Sequence, residues 1–85
     1  MVTELEFNRL RWRCRRGMLE LDLLLGPFFE AQFKDLSAAQ QADFETLLEE
    51  DDPVLLGWFS RKTEAEEPSL NYLVQVILDR VQPSR

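Results

Sequence analysis

The stretch Arg9-Leu10-Arg11-Trp12-Arg13-Cys14-Arg15 can be read two ways. Charged and less polar residues alternate strictly, which is the pattern of a half-buried strand. As a strand it would set four arginines side by side on one face, and no other stretch of the chain reads as a strand to pair with it. As a helix, Phe7, Leu10 and Cys14 fall at i, i+3 and i+7 and form one apolar stripe. Arg9, Arg13 and Arg16 then form a second, basic stripe at i, i+4 and i+7. The helical reading gives each stripe a face of its own. It predicts a first helix from about Glu4 to Arg16. Gly17 ends it, because glycine enters the left-handed conformation of a C-terminal cap at little steric cost.

Working outward, the same spacing recurs. Met18, Leu21, Leu25 and Phe28 keep one face of a second helix that starts near Met18. Pro27 has no N–H and crowds the carbonyl of Leu23, so a kink or break is expected there. Phe29, Phe33 and Leu36 continue the apolar surface. Ser37 with Gln40 forms a capping box that opens a third helix, with Phe44, Leu47 and Leu48 inward. Asp52 as N-cap and Pro53 at the first helical position open a short fourth helix carrying Val54, Leu55, Trp58 and Phe59. Residues 60–68 read as an exposed, charged loop. Leu70, Leu73, Val74, Ile77, Leu78 and Val81 give a fifth helix, and residues 82–85 a frayed tail. The prediction is a single all-α domain over residues 1–85, a small five-helix bundle.

Composition narrows the function. The chain has 85 residues, 45% of them apolar, enough for one core. A chain of this size buries only about 60–65% of its unfolded surface, so a deep substrate cleft would consume much of that core. There is one cysteine and no histidine. No internal disulfide can form, and no zinc set is available. Cys14 lies on the apolar stripe with no base beside it, so it reads as packing, not as a nucleophile. Glu49-Glu50-Asp51-Asp52 lacks the fixed glycine and alternating ligands of a calcium loop. The three glycines are scattered, so there is no phosphate-binding loop. The chain therefore reads as a non-enzyme with no metal and no stably bound cofactor. It has no apolar run long enough for a membrane span, and its N-terminus lacks a signal-peptide pattern, which points to the cytoplasm.

The net charge is −6 but unevenly spread. Residues 1–17 hold five arginines against Glu4 and Glu6, net +3, and the remainder carries −9. An acidic body with one arginine cluster is repelled by nucleic acid everywhere but at that cluster. The cluster reads either as a solvated helix face balanced by acids elsewhere in the fold or as a contact for a protein partner. At its end, Arg16-Gly17-Met18-Leu19-Glu20 has two readings: a glycine turn whose flanking Arg16 and Glu20 pair across it, or a corner of bare backbone against which a partner presses.

Arg16-Gly17-x-x-Glu20 matches the RGxxE motif of the SdhE family, the FAD assembly factors of succinate dehydrogenase and fumarate reductase. The surrounding block from Trp12 to Asp22 resembles the family's signature. So do Pro27-Phe28-Phe29 and the run Leu47 to Pro53 followed by Trp58. The resemblance covers most of residues 9–59, and the overall length fits. It implies a five-helix fold and a partner: the flavoprotein subunit of succinate dehydrogenase or fumarate reductase. That subunit receives FAD covalently on its own histidine, so the FAD belongs to the client. The resemblance also implies partner-binding roles for Arg16, Gly17 and Glu20, with Arg9 as a further basic contact. A monomer is expected, although exposed Trp12 or Leu19 would suit either self-association or a client surface. Members of the family have also been described as antitoxin-like partners of a small membrane protein, which is the alternative reading.

Overall fold

A computed structural model describes residues 3–81. Five α-helices follow one another: α1 (Glu4–Arg13), α2 (Leu19–Gln32), α3 (Ala38–Leu48), α4 (Asp52–Phe59) and α5 (Pro68–Val81). A single 3-10 turn, Phe33–Asp35, joins α2 to α3. There is no strand among the described residues, so the helical reading of residues 9–13 holds. The expected tail at 82–85 and the inward side chain of Val81 lie outside the described residues.

Local chemistry sets the helix starts. α1 opens on a capping box: the Glu6 N–H donates to Thr3 Oγ1 at 3.1 Å, and the Thr3 N–H donates to Glu6 Oε1 at 3.0 Å. Thr3–Glu6 has the same S/T-x-x-E/Q signature as Ser37–Gln40. The expected box at α3 is present, with the Gln40 N–H on Ser37 Oγ at 3.1 Å and the Ser37 N–H on Gln40 Oε1 at 3.2 Å.

Four boundaries depart from expectation. α1 stops at Arg13 with Cys14 as C-cap, three residues early. Gly17 does have a positive φ of 79°, but it forms a corner beyond the helix end and is not the cap itself. α2 runs through Pro27 without a break. Leu23, whose carbonyl the proline ring cannot use, is 57% exposed, so water can take the freed acceptor. The break comes later, at Phe33. At α4 the N-cap is Asp51, with Asp52 already in the first turn. The fourth departure is the 60–68 loop, which ends where α5 begins at Pro68 and buries Ala65 against the core.

The core is one cluster fed by every helix. α5 lies across α2, α3 and α4 and contributes buried Leu70, Leu73, Val74 and Ile77. α1 packs on α2 through buried Leu10 and Cys14 and half-buried Phe7. Phe29 is an aromatic hub, 4.6 Å from Phe7, 4.9 Å from Phe33 and 5.9 Å from Phe44 between ring centroids. Offset aromatic pairs at such distances add to the burial of their area. No polar or charged side chain is buried among the described residues.

α4 ends on a left-handed residue. Arg61 has φ 64°, the Arg61 N–H donates to the Trp58 carbonyl at 3.2 Å, and the Lys62 N–H to the Gly57 carbonyl at 3.0 Å. This pair of bonds is a Schellman closure that turns the chain back toward α5.

Candidate partner-docking corner

The α1–α2 connection is the one place where sequence and geometry both draw attention. Cys14 is 2% exposed and anchors the end of α1 in the core. Burial, more than any nearby charge, pushes its thiol up to about 12. The group stays a neutral packing element, as expected for a thiol in apolar surroundings. Beyond it the backbone leaves the helix. The Arg16 N–H, which has no helical acceptor, donates to Asp22 Oδ1 at 2.7 Å. Asp22 sits in the first turns of α2, so the carboxylate ties the corner to the helix that follows.

Gly17 is exposed, and a Cβ built on it would meet nothing within 4 Å. The corner therefore presents main chain directly to solvent. Glu20 is exposed on the first turn of α2, where an acid is favoured by the helix dipole. It makes no ion pair among the described residues. Arg9 is exposed on α1.

Arg16 is arranged differently from what the sequence suggests. It does not continue the Arg9/Arg13 stripe, because the helix has already ended, and it does not pair with Glu20. Its guanidinium turns inward against the α3–α4 connection. Nε donates to Asp52 Oδ1 at 2.8 Å, Nη1 to the Leu48 carbonyl at 2.8 Å, and Nη2 to the Glu50 carbonyl at 2.6 Å. A further Nη1 contact reaches the Arg13 carbonyl at 3.3 Å. The side chain is only 15% exposed. Leu48 and Glu50 lie at the end of α3, where carbonyls lack helical partners, so Arg16 caps α3 and grips the start of α4 at once. The first of the two readings of the corner, Arg16 paired with Glu20 across the glycine turn, does not hold: Arg16 pairs with Asp52. The Asp52 carboxylate is thus engaged by the guanidinium, and Asp51, the N-cap residue by position, makes no side-chain capping hydrogen bond.

Apolar surface flanks the corner. Trp12 is 72% exposed, Leu19 69% and Leu23 57%. Leu19 and Leu23 are one turn apart on α2 and share its outer face with Gly26. A shallow cleft of about 400 Å³ between α1 and α2 is lined by Trp12, Arg15 and Gly26 among others. On its far side the Arg11–Glu30 ion pair, 2.5 Å, bridges the two helices.

The sequence did not point to Asp22 and Asp52 as parts of this corner. Asp22 carried a weak signal, being an acid in a first helical turn. Asp52 carried its own local capping signal, and both residues lie within the blocks that resemble the family's signature.

The comparisons with known proteins agree on one family. A family model described as "Sdh5: Flavinator of succinate dehydrogenase" matches residues 8–81. The chain belongs to this family. Among its Sdh5-family relatives, a Pseudomonas aeruginosa protein named FAD assembly factor SdhE is 49% identical over 83 residues, covering 98% of this chain and 99% of the relative. Proteins of the same name from Colwellia psychrerythraea and Vibrio cholerae are 49% and 44% identical, over 87% and 92% of this chain and 81% and 91% of their own lengths. The Sdh5-family match starts within α1, takes in the other four helices and includes the corner. No helix among the described residues is long and apolar enough to cross a membrane. No group of three or more His, Cys, Asp or Glu side chains among them is placed to hold a metal ion.

Proposed function

We propose that this chain is a FAD assembly factor: it binds the flavoprotein subunit of succinate dehydrogenase, or of fumarate reductase, and promotes covalent attachment of FAD to that subunit. The observation that carries the reading is the Gly17 corner, a bare and open stretch of main chain within the matched family region. The FAD is the client's, and this chain supplies shape in place of a reacting group.

A helper of this kind works by binding one client conformation better than the others, which shifts the client toward it. A preference of about 3 kcal/mol changes the ratio of two conformers by about two orders of magnitude. In this reading Gly17 allows the client's surface to approach the backbone closely. Glu20 and Arg9, both exposed, offer a charged acceptor and a charged donor on either side. Trp12, Leu19 and Leu23 supply the apolar area that a small interface needs. Arg16 belongs to the same site, with most of its donors already engaged within the chain.

The test is a reconstituted reaction: apo-flavoprotein subunit, FAD and this protein, with covalent flavin read by fluorescence on a denaturing gel. Gly17→Arg is strained at the positive φ but meets no neighbouring atoms, so it keeps the fold by circular dichroism at a small stability cost, yet it blocks stimulation. Full stimulation by folded Gly17→Arg contradicts the docking role.

A further inference from the structure

Arg16 spans 36 residues of sequence to Asp52 and 32 to Leu48, so one side chain joins the α1–α2 corner to the α3–α4 connection. The corner it leaves behind is held from two sides. Asp22 takes the Arg16 N–H, and the α3–α4 connection takes the Arg16 guanidinium. Between these two anchors and the first turn of α2, Gly17 makes no hydrogen bond among the described residues that would fix its positive φ. Its conformation is set by its neighbours.

From this geometry we infer that Asp52 and Asp22 are positioning residues of the docking corner, acting through Arg16 to hold the Gly17 backbone in the shape a partner meets. Arg16 is then a brace and not a contact. This inference rests on the function proposed above, and it deepens it by assigning roles to two carboxylates, one of them far away in sequence. Charge-assisted hydrogen bonds suit this task because they are directional and stronger than neutral ones. Guanidinium suits it because its planar fork serves several acceptors at once, which an ammonium cannot do. Preorganising a binding loop raises affinity by removing the cost of ordering it on association.

The brace and the contact readings differ in sign at Asp52. If Arg16 touched the client, Asp52→Ala would free its guanidinium and leave binding unchanged or tighter. As a brace, Asp52→Ala loosens the corner and weakens binding.

The experiment measures affinity of the full chain for the apo-flavoprotein subunit at a temperature well below the melting transition, together with hydrogen exchange in the free protein at the Arg15 and Arg16 amides, which are hydrogen-bonded at the corner. Asp52→Ala and Asp22→Ala are expected to speed exchange at those amides and to weaken binding about tenfold, equivalent to about 1.4 kcal/mol. Asp52→Glu, which keeps the carboxylate, restores part of the affinity. Arg16→Lys, which keeps a positive charge but lacks the fork, behaves like Asp52→Ala, and combining the two adds little further loss. Unchanged exchange at the Arg15 and Arg16 amides, or unchanged or tighter binding by Asp52→Ala, overturns the inference. Should Asp52→Ala prove too unstable at the assay temperature, Asp52→Leu, of similar shape but with no acceptor, serves in its place with the same outcomes on both sides. Failure of the wild-type protein to bind the subunit would instead sink the proposed function. The hydrogen-exchange arm would still report on the brace, since it needs no client.

Discussion

The guanidinium of Arg16 and the carboxylate of Asp52 meet at 2.8 Å across two helix connections. The pair is partly sheltered, with side chains 15% and 29% exposed, and two backbone carbonyls complete its surroundings. An ion pair on an open surface contributes little to stability. This one also satisfies acceptors at the end of α3 that would otherwise rely on water alone.

Arg16→Ala is therefore expected to lower unfolding free energy by about 2 kcal/mol, within the range for hydrogen bonds to charged groups. For a chain of this size that is a fall in Tm of about 10 °C. Thermal denaturation followed by circular dichroism checks it. A shift within about 2 °C would show that solvent replaces the brace at no cost.

Gly17→Ala probes backbone and space separately. The space is open, but a side chain at φ 79° is strained. The expected cost is about 1 kcal/mol, and the protein stays folded. Urea denaturation gives the value; a loss above about 3 kcal/mol would mean that the corner is packed more tightly than its geometry indicates.

Trp12→Ala and Leu19→Ala remove exposed apolar groups. Both should leave stability within about 0.5 kcal/mol of wild type, as substitutions away from the core do. In the proposed function each weakens binding to the flavoprotein subunit, with Trp12 the larger effect because aromatic anchors dominate interfaces. Titration calorimetry with the apo-subunit reads both. Wild-type affinity in the double variant would remove this face from the interface.

Cys14 gives a chemical check on the fold. With its thiol raised to about 12 by burial, it remains protonated and shielded at neutral pH. Alkylation should proceed only as fast as the protein opens, and denaturant should accelerate it. The sign of the pH effect follows from linkage: the unfolded thiol ionises first, so this contribution to stability is whole below the unfolded pKa and is lost as pH rises toward 12. Rapid alkylation of the native protein at pH 8 would contradict the buried placement.

Much of the architecture was legible because each helix carries its own signal. The apolar spacing of α5 places Leu70, Leu73, Val74 and Ile77 in the core as read, and Ser37–Gln40 caps α3 as read. Phe7, Leu10 and Cys14 form the expected stripe, which decides helix over strand in the alternating segment. What sequence could not supply was the direction of Arg16. Local spacing extended α1 to Arg16 and offered Glu20 or a partner as that residue's contact. A contact with Asp52 has no periodic trace in the chain. The early end of α1 and the displaced α4 cap both lie beside that contact. Pro27 misled for another reason: its ring sits on the outer face, where the lost hydrogen bond is cheap.

The central claim is that this chain acts through a bare-backbone corner on another protein's flavin attachment. The direct measurement is covalent flavin fluorescence of the apo-flavoprotein subunit after incubation with FAD and either wild-type protein or folded Gly17→Arg. The account predicts a strongly fluorescent subunit band with the wild type and a band no brighter than the helper-free control with the variant. Equal fluorescence in the two reactions, or none above the control with the wild type, contradicts it.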